Sequence, residues 1–407
     1  MNYTKTLLFI TVAIFFYSCN DKKKNTSDSN STEIINSHLL LANAEKQLNL
    51  QRLEAEAANK IPRTITADGD LHWTKENFDW TEGFFPGSCW YLYEATKDEK
   101  WKNAAEKFQI LFEDHKFRTT NHDLGFVFNC SFGNAYRLTK TEAYKQVMIT
   151  AADSLVTRFN PKTASIKSWD VDKGWQSKRN WKFPVIIDNM MNLELLFKVS
   201  EMTGDAHYKE IAIAHANATL KNHFRKNNSS YHVVDYDPET GEVRGKQTAQ
   251  GFADESSWAR GQAWGIYGYT LCYRYTKDER YLAQAQKIAK YILEEKSTPD
   301  DGIPYWDYNA PKIPNEPRDV SAAAITVSAL IELDGYTQES YLPAINKQLN
   351  SLASDRYTAK IGDNHNFILK HSVGSIPHNN EIDVPLNYAD YYYLEALIRY
   401  QKQYTKE

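Results

Sequence analysis

Two aspartates stand in settings where a carboxylic acid can move a proton. Asp188 follows Val185-Ile186-Ile187 and precedes Asn189-Met190-Met191, so its carboxyl is expected among apolar neighbours. Burial of that kind disfavours the anion and keeps the acid protonated toward neutrality. Asp123, in Asn121-His122-Asp123-Leu124-Gly125-Phe126, has polar company and is expected to stay ionised. Two carboxyls with pKa values pushed apart are the usual equipment of glycosidic chemistry. Asp is also a favoured helix cap, and each of these residues sits where a helix is expected to begin, so capping is the plain alternative.

Other residues suit a sugar with a negative charge. Arg260 and Trp264 are four apart in Ser257-Trp258-Ala259-Arg260-Gly261-Gln262-Ala263-Trp264 and share one helix face. A guanidinium there can pair with charge or hydroxyls while the indole stacks on a ring, or the two can form a core cation–π pair. Glycines at 251, 261, 265 and 268 cost that stretch helix stability, which implies a packing or site reason. The chain has 10 Trp and 26 Tyr, an excess that serves either a core or a sugar site. Asp254 and Glu255 are expected to cap the helix after them. His232 lies in a Tyr-His-Val-Val-Asp-Tyr run that reads equally as a β-hairpin arm. His365, His371 and His378 lack metal-ligand spacing and are expected at the surface or against substrate. No nucleophile elbow, phosphate loop or HExxH pattern occurs.

The elements that position these residues are helices. From Glu33 onward the apolar pattern is helical, and strand-like alternation is scarce. One junction recurs: Ala95-Thr96-Lys97-Asp98, Leu138-Thr139-Lys140-Thr141, Met202-Thr203-Gly204-Asp205, Tyr275-Thr276-Lys277-Asp278 and, more loosely, Tyr336-Thr337-Gln338-Glu339. Thr closes one helix, and Asp, Thr or Glu caps the next. Five such corners predict helices over 83–96 with 98–115, 124–138 with 141–158, 188–202 with 205–224, 258–275 with 278–296, and 319–335 with 338–355. Helices near 34–59 and 387–403 bring the total to twelve. Repeats of this kind give a solenoid or a closed array. The long insertions between hairpins favour an all-α, closed (α/α)6 barrel of six hairpins, its loops forming a pocket at one rim. An open helical array is the alternative.

Residues 6–17 (TLLFITVAIFFY) form an apolar run of signal-peptide length, ending at Phe16-Tyr17-Ser18-Cys19. The expected organisation is a lipoprotein-type signal over 1–19 with Cys19 lipidated, a polar tether over 20–32, and the catalytic domain over 33–407. An ordinary signal peptide with an incidental Cys is the other reading. Export to the cell envelope, facing the periplasm, would follow, with the membrane met only through the lipid. Cys89, Cys130 and Cys272 read as small buried hydrophobes. A net charge of −4 and the lack of a basic stripe argue against nucleic acid.

With these residues placed, the chain resembles glycoside hydrolase family 88, the unsaturated glucuronyl hydrolases. The likeness rests on six strings in family order: DWTEGFFPG (79–87), HDLGF (122–126), IIDNMMN (186–192), QGFADESSWARGQAWGIYG (250–268), RDVSAAAI (318–325) and PHNNEIDVPLNYADYYYLEAL (377–397). The resemblance implies an (α/α)6 barrel and a mechanism without metal or cofactor. It implies Asp188 as catalytic acid and base, Asp123 as the second essential aspartate, and a sugar pocket formed by Trp80, His122, Trp175, His232, Gln250, Arg260 and Trp264. The implied substrate is an oligosaccharide left by a polysaccharide lyase, with a 4,5-unsaturated uronic acid at its non-reducing end. Asp188 would protonate C4 and water would add at C5. Some relatives that act on sulfated disaccharides carry Ser and Lys before the Pro-His matched by Pro377-His378. Ile376 stands here in place of that Lys. A family 105 enzyme, a noncatalytic carbohydrate-binding lipoprotein and an (α/α)6 epimerase are competing readings.

Overall fold

Thr96, Thr139, Thr203 and Thr276 each donate their hydroxyl to the carbonyl four residues back. Each also accepts the amide two residues ahead. The residue between turns left-handed: Lys97, Lys140, Gly204 and Lys277. In three of the four corners Asp98, Asp205 or Asp278 then caps the next helix. A four-residue sequence thus ends one helix, reverses the chain and starts another. The fifth corner departs from this: Thr337 bonds to Glu339, and Asp334 takes the Tyr341 amide. The next helix therefore starts at Leu342, four residues later than expected.

The computed structural model describes Met1 and residues 35–405. The expected signal segment, tether and Cys19 lie outside the described residues. Among the described residues twelve α-helices run in order: α1 (Ser37–Ala58), α2 (Phe84–Thr96), α3 (Glu99–Gln109), α4 (Asn134–Thr139), α5 (Glu142–Val156), α6 (Asn189–Thr203), α7 (Ala206–Asn222), α8 (Ala259–Thr276), α9 (Glu279–Glu294), α10 (Val320–Asp334), α11 (Leu342–Leu352) and α12 (Asn387–Tyr404). A π-helix over Gly125–Gly133 leads into α4 and takes one place in the ring.

Helix α2 touches the π-helix, the π-helix touches α6, α6 touches α8, α8 touches α10, α10 touches α12, and α12 returns to α2. That circuit closes an inner ring of six. Each member pairs outward with α3, α5, α7, α9, α11 or α1, so the sixth hairpin joins the two ends of the chain. The result is the (α/α)6 barrel. Helix α10 is buried nearly all round because it lies between the axis and an outer helix. Outer α9 buries only Tyr281, Leu282, Gln284, Ala285, Ile288, Ala289 and Ile292. Cys89, Cys130 and Cys272 are free and buried.

Because inner and outer helices alternate along the chain, all six inner N-termini open at one rim. The other end is closed by ion pairs. Arg274 joins Glu194 (2.7 Å) and Glu332 (2.5 Å), and Arg399 joins Glu332 (3.0 Å) and Glu395 (3.1 Å).

Short strands fill the long insertions: β1 (Pro62–Ile65), β2 (Leu71–Trp73), β3 (Phe159–Asn160), β4 (Ser165–Ile166), β5 (Phe183–Ile186), β6 (Val233–Tyr236), β7 (Val243–Gln247), β8 (Ser372–Ser375) and β9 (Asn380–Val384). They form three hairpins and one three-stranded antiparallel sheet, β5-β6-β7. Strands of two to five residues are too short to show alternation, so the sequence pattern misses them.

Two glycines of α8 mark where α6 and the residues leading into it come close. A Cβ on Gly268 would lie 2.4 Å from the Met190 Cβ, and one on Gly261 would lie 3.3 Å from Ile187. Gly268→Ala is expected to destabilise the protein by about 1–3 kcal/mol through overpacking, measurable by thermal or denaturant unfolding.

Candidate active site

Strand β5 leads straight into Asp188 and α6. Its pairing with β6 sets Ile186 opposite Val233, and the Ile187 amide donates to the His232 carbonyl at 3.0 Å. One sheet therefore brings Asp188 and His232 together from distant parts of the chain. The His232 Nε2 lies 3.6 Å from Asp188 Oδ2. The amides of Ala249 and Gln250 both donate to His232 Nδ1, at 3.0 and 3.1 Å. Nδ1 is thus the acceptor, and the proton of the neutral ring sits on Nε2, facing the carboxyl. Burial drives the His232 pKa well below its ordinary value, so the ring stays neutral.

Asp188 stands at the N-cap of α6, yet its side chain caps nothing. That removes the capping alternative for this residue. Burial raises its pKa to about 7, against the pull of the Arg260 charge, a backbone hydrogen bond and the Trp264 side chain. Asp123, before the π-helix, is pushed up to about 8, first by burial and then by the Asp188 charge. This overturns the expectation of an ionised Asp123. Its polar neighbour is no cation: His122 lies with Nε2 3.3 Å from Asp123 Oδ1, but burial lowers the His122 pKa to about 3. Burial thus lifts both carboxyls well above the ordinary range, and the two titrate as a coupled pair near neutrality.

The cavity in front of them measures about 410 Å³. Trp80, Phe126, Trp169 and Trp175 form apolar walls. Asn121, His122, Asp123, Asp188, Gln250, Arg260, Ser375, His378 and Asn380 bring polar groups to it. Trp80 is braced by Phe126 (5.4 Å between ring centres) and Tyr388 (4.9 Å). Trp175 packs on Trp169 (5.1 Å) and His378 (4.8 Å). Asp188 Oδ2, His122 Nε2 and His232 Nε2 are buried without a hydrogen bond of normal length. Two of these atoms, His232 Nε2 and Asp188 Oδ2, face each other at 3.6 Å, so a small shift would pair them. The six inner-helix N-termini and the Arg260 charge favour an anion.

Of the residues singled out in sequence, Trp80, His122, Asp123, Trp175, Asp188, Gln250 and Arg260 line the cavity. His232 and Trp264 stand behind it, buried against Asp188. Arg260 has less to offer a sugar than its position implied. It donates to Asp319 (2.9 Å) and to the carbonyls of Val373 and Gly374, and what it lends the pocket is chiefly charge. Trp258 and Tyr388 lie against its guanidinium, at 4.5 and 5.6 Å. Asp254 does not cap α8; it accepts the Thr248 amide, and α8 begins at Ala259. Among the late histidines, His378 reaches the pocket, while His365 bonds to Gly69 and His371 to Asp383.

Sequence reasoning missed Trp169, Lys75, Gln176 and Asn380 as pocket residues. Trp169, Trp175 and Trp181 recur at six-residue spacing in a loop, and that signal points to Trp169. Asn380 lies in the 377–397 string but was not singled out there, and Lys75 carries no comparable mark.

Residues 54–404 match the family described as Glycosyl Hydrolase Family 88. An unsaturated glucuronyl hydrolase from Formosa agariphila is 47% identical over 351 residues, 86% of each chain. An unsaturated chondroitin disaccharide hydrolase from Streptococcus agalactiae is 35% identical over 344 residues, 82% of this chain and 84% of that one. A crystal structure of an unsaturated glucuronyl hydrolase specific for heparin superposes with a TM-score of 0.85 at 42% identity, over 90% of this chain and 98% of that one.

Proposed function

Because the chain belongs to glycosyl hydrolase family 88, we propose that it is an unsaturated glucuronyl hydrolase. It removes the non-reducing-end 4,5-unsaturated uronic acid from oligosaccharides made by polysaccharide lyases. One observation carries this reading beyond the family: Asp188 lines the cavity beside Asp123, caps no helix, and has the His232 Nε2 3.6 Å from its Oδ2, with burial raising both carboxyls. An ordinary glycosidase needs one carboxylate ionised, as nucleophile or base, beside its acid. Here Asp188 keeps a proton up to about pH 7 and is the group placed to give it.

The substrate's C4=C5 bond is an enol ether conjugated to the C5 carboxylate. Asp188 gives its proton to C4, and the π electrons form the new C–H bond. Positive charge appears at C5 and is shared by the ring oxygen. Water adds to C5 and returns a proton to the Asp188 carboxylate, so the acid is regenerated. The hemiketal opens to a ketone at C5, which leaves a hemiacetal at C1 that expels the aglycone as an alcohol. Water has added across the double bond, and the glycosidic bond has broken without direct attack on C1. Asp123, still protonated, can donate to a ring hydroxyl as well as accept from one. The His232 N–H faces the oxygen that becomes anionic when Asp188 gives up its proton. His232→Phe is expected to lower kcat by roughly ten- to a hundredfold and to move the alkaline limit of activity upward, read from kcat/KM against pH.

The natural polymer is an anionic one of the ulvan or glycosaminoglycan type; the relatives named for chondroitin and heparin support the glycosaminoglycan half of that reading. The apolar run and Ser18-Cys19 support export and lipid anchoring at the cell envelope, facing the periplasm. The test is loss of the conjugated double bond's ultraviolet absorbance on lyase digests of ulvan, chondroitin, hyaluronan, heparin and gellan. Turnover of at least one digest is expected. No loss on any of them would favour a carbohydrate-binding protein without activity.

A further inference from the structure

The β8–β9 hairpin forms one wall of the pocket through Ser375, His378 and Asn380. Its backbone is unusual. Asn379, Glu381 and Asp383 all take left-handed conformations, with φ of 48°, 54° and 56°. Asn and Asp tolerate that region, but Glu has no short side chain to compensate locally. Such positions persist where their surroundings over-determine them.

Two arginines supply that constraint. Arg260 holds β8 by the carbonyls of Val373 and Gly374. Arg63, from β1, holds the other arm: its Nε donates to Glu381 Oε1 at 2.6 Å and its Nη2 to Oε2 at 3.1 Å. The remaining Nη1 donates to both oxygens of Asp79 at 2.6 Å. Asp79 directly precedes Trp80 in the neighbouring wall and is fixed in turn by Thr81 and the Lys75 amide. The side chains of Arg63, Asp79 and Glu381 are 11%, 0% and 7% exposed, so little water screens the pairs. Glu381 lies across Gly374, where any Cβ would meet its Oε2 at 2.4 Å. None of the three lines the pocket, yet together they join the segment bearing Trp80 to the segment bearing His378 and Asn380.

We infer that Arg63 and Glu381 form a positioning clamp that sets the gap between these two walls and so governs how tightly substrate is held. The inference rests on the proposed activity for its kinetic readout. Asp188 is placed independently, by β5 and α6. Loosening the clamp should therefore weaken binding and spare the chemical step.

Glu381→Gln tests this, because it leaves the Arg63–Asp79 pair in place. KM for an unsaturated uronyl disaccharide should rise about tenfold, with kcat within about twofold of the parent. Amide hydrogen exchange should speed up over residues 375–384 and stay unchanged in the inner helices. Arg63→Lys is the second variant: a point-charged ammonium cannot hold two carboxylates in a fixed fork, so the same split is expected. Unchanged KM in both variants, or faster exchange spread through the barrel, would overturn the clamp. If the parent protein itself turns over no such disaccharide, the proposed activity fails. Hydrogen exchange then decides the clamp alone: acceleration confined to the hairpin supports it, and any other pattern rejects it.

Discussion

Asp188→Asn will reduce turnover of unsaturated uronyl oligosaccharides by roughly a thousandfold or more while leaving the barrel folded. The amide occupies the same space and has no proton acidic enough to give to C4, and no other pocket group faces the reaction with the same support. The variant should also be the more stable protein at neutral pH, and the sign follows from the proton balance. Unfolded, Asp188 titrates near 3.8; folded, near 7. Between those values the unfolded chain has released a proton that the native state still holds. Stability therefore falls as pH rises from about 4 to about 7, and levels off above. Asn has no such titration. Its melting temperature should gain on the parent's across that window, as thermal melts at acid and mildly alkaline pH would record. Ordinary activity in the variant would remove Asp188 from the mechanism.

The parent's kcat/KM is expected to fall on the alkaline side, through apparent pKa values between about 7 and 8 that belong to the Asp188–Asp123 pair. Protonated Asp188 is the form that acts, so activity is present below that range and lost above it. Asp123→Asn should cost roughly a hundredfold or more in turnover while substrate still binds. It should also reduce the alkaline limb to a single step, since only one carboxyl is left to titrate. A complete pH–rate profile of both proteins checks this. A limb unchanged by the substitution would show that Asp123 does not titrate with Asp188.

Much of the barrel was legible because its hairpin corners are local. The sequence Thr-Lys-Asp specifies a stop, a left-handed turn and a cap within a few residues, and the same words recur down the chain. The fifth corner failed where Asp334 took over the capping from seven residues away. The nearness of Asp188 to apolar residues was legible too, since Ile186, Ile187 and Met190 are buried with it. The state of Asp123 was not. It depends on the neutrality of His122 and on the charge of Asp188, both set by burial and by a contact across 65 residues of sequence. The Arg63 clamp was hidden for the same reason, because Glu381 lies 318 residues away. The small strands carry no pattern of their own, yet they place His232.

The claim that Asp188 protonates carbon is tested most directly by turnover in heavy water, with the product read by NMR at early times. One deuterium at C4 in a single configuration, together with loss of the C4=C5 bond in step with aglycone release, is the expected result. Aglycone released while the double bond survives, or deuterium at C4 in both configurations alike, would contradict it.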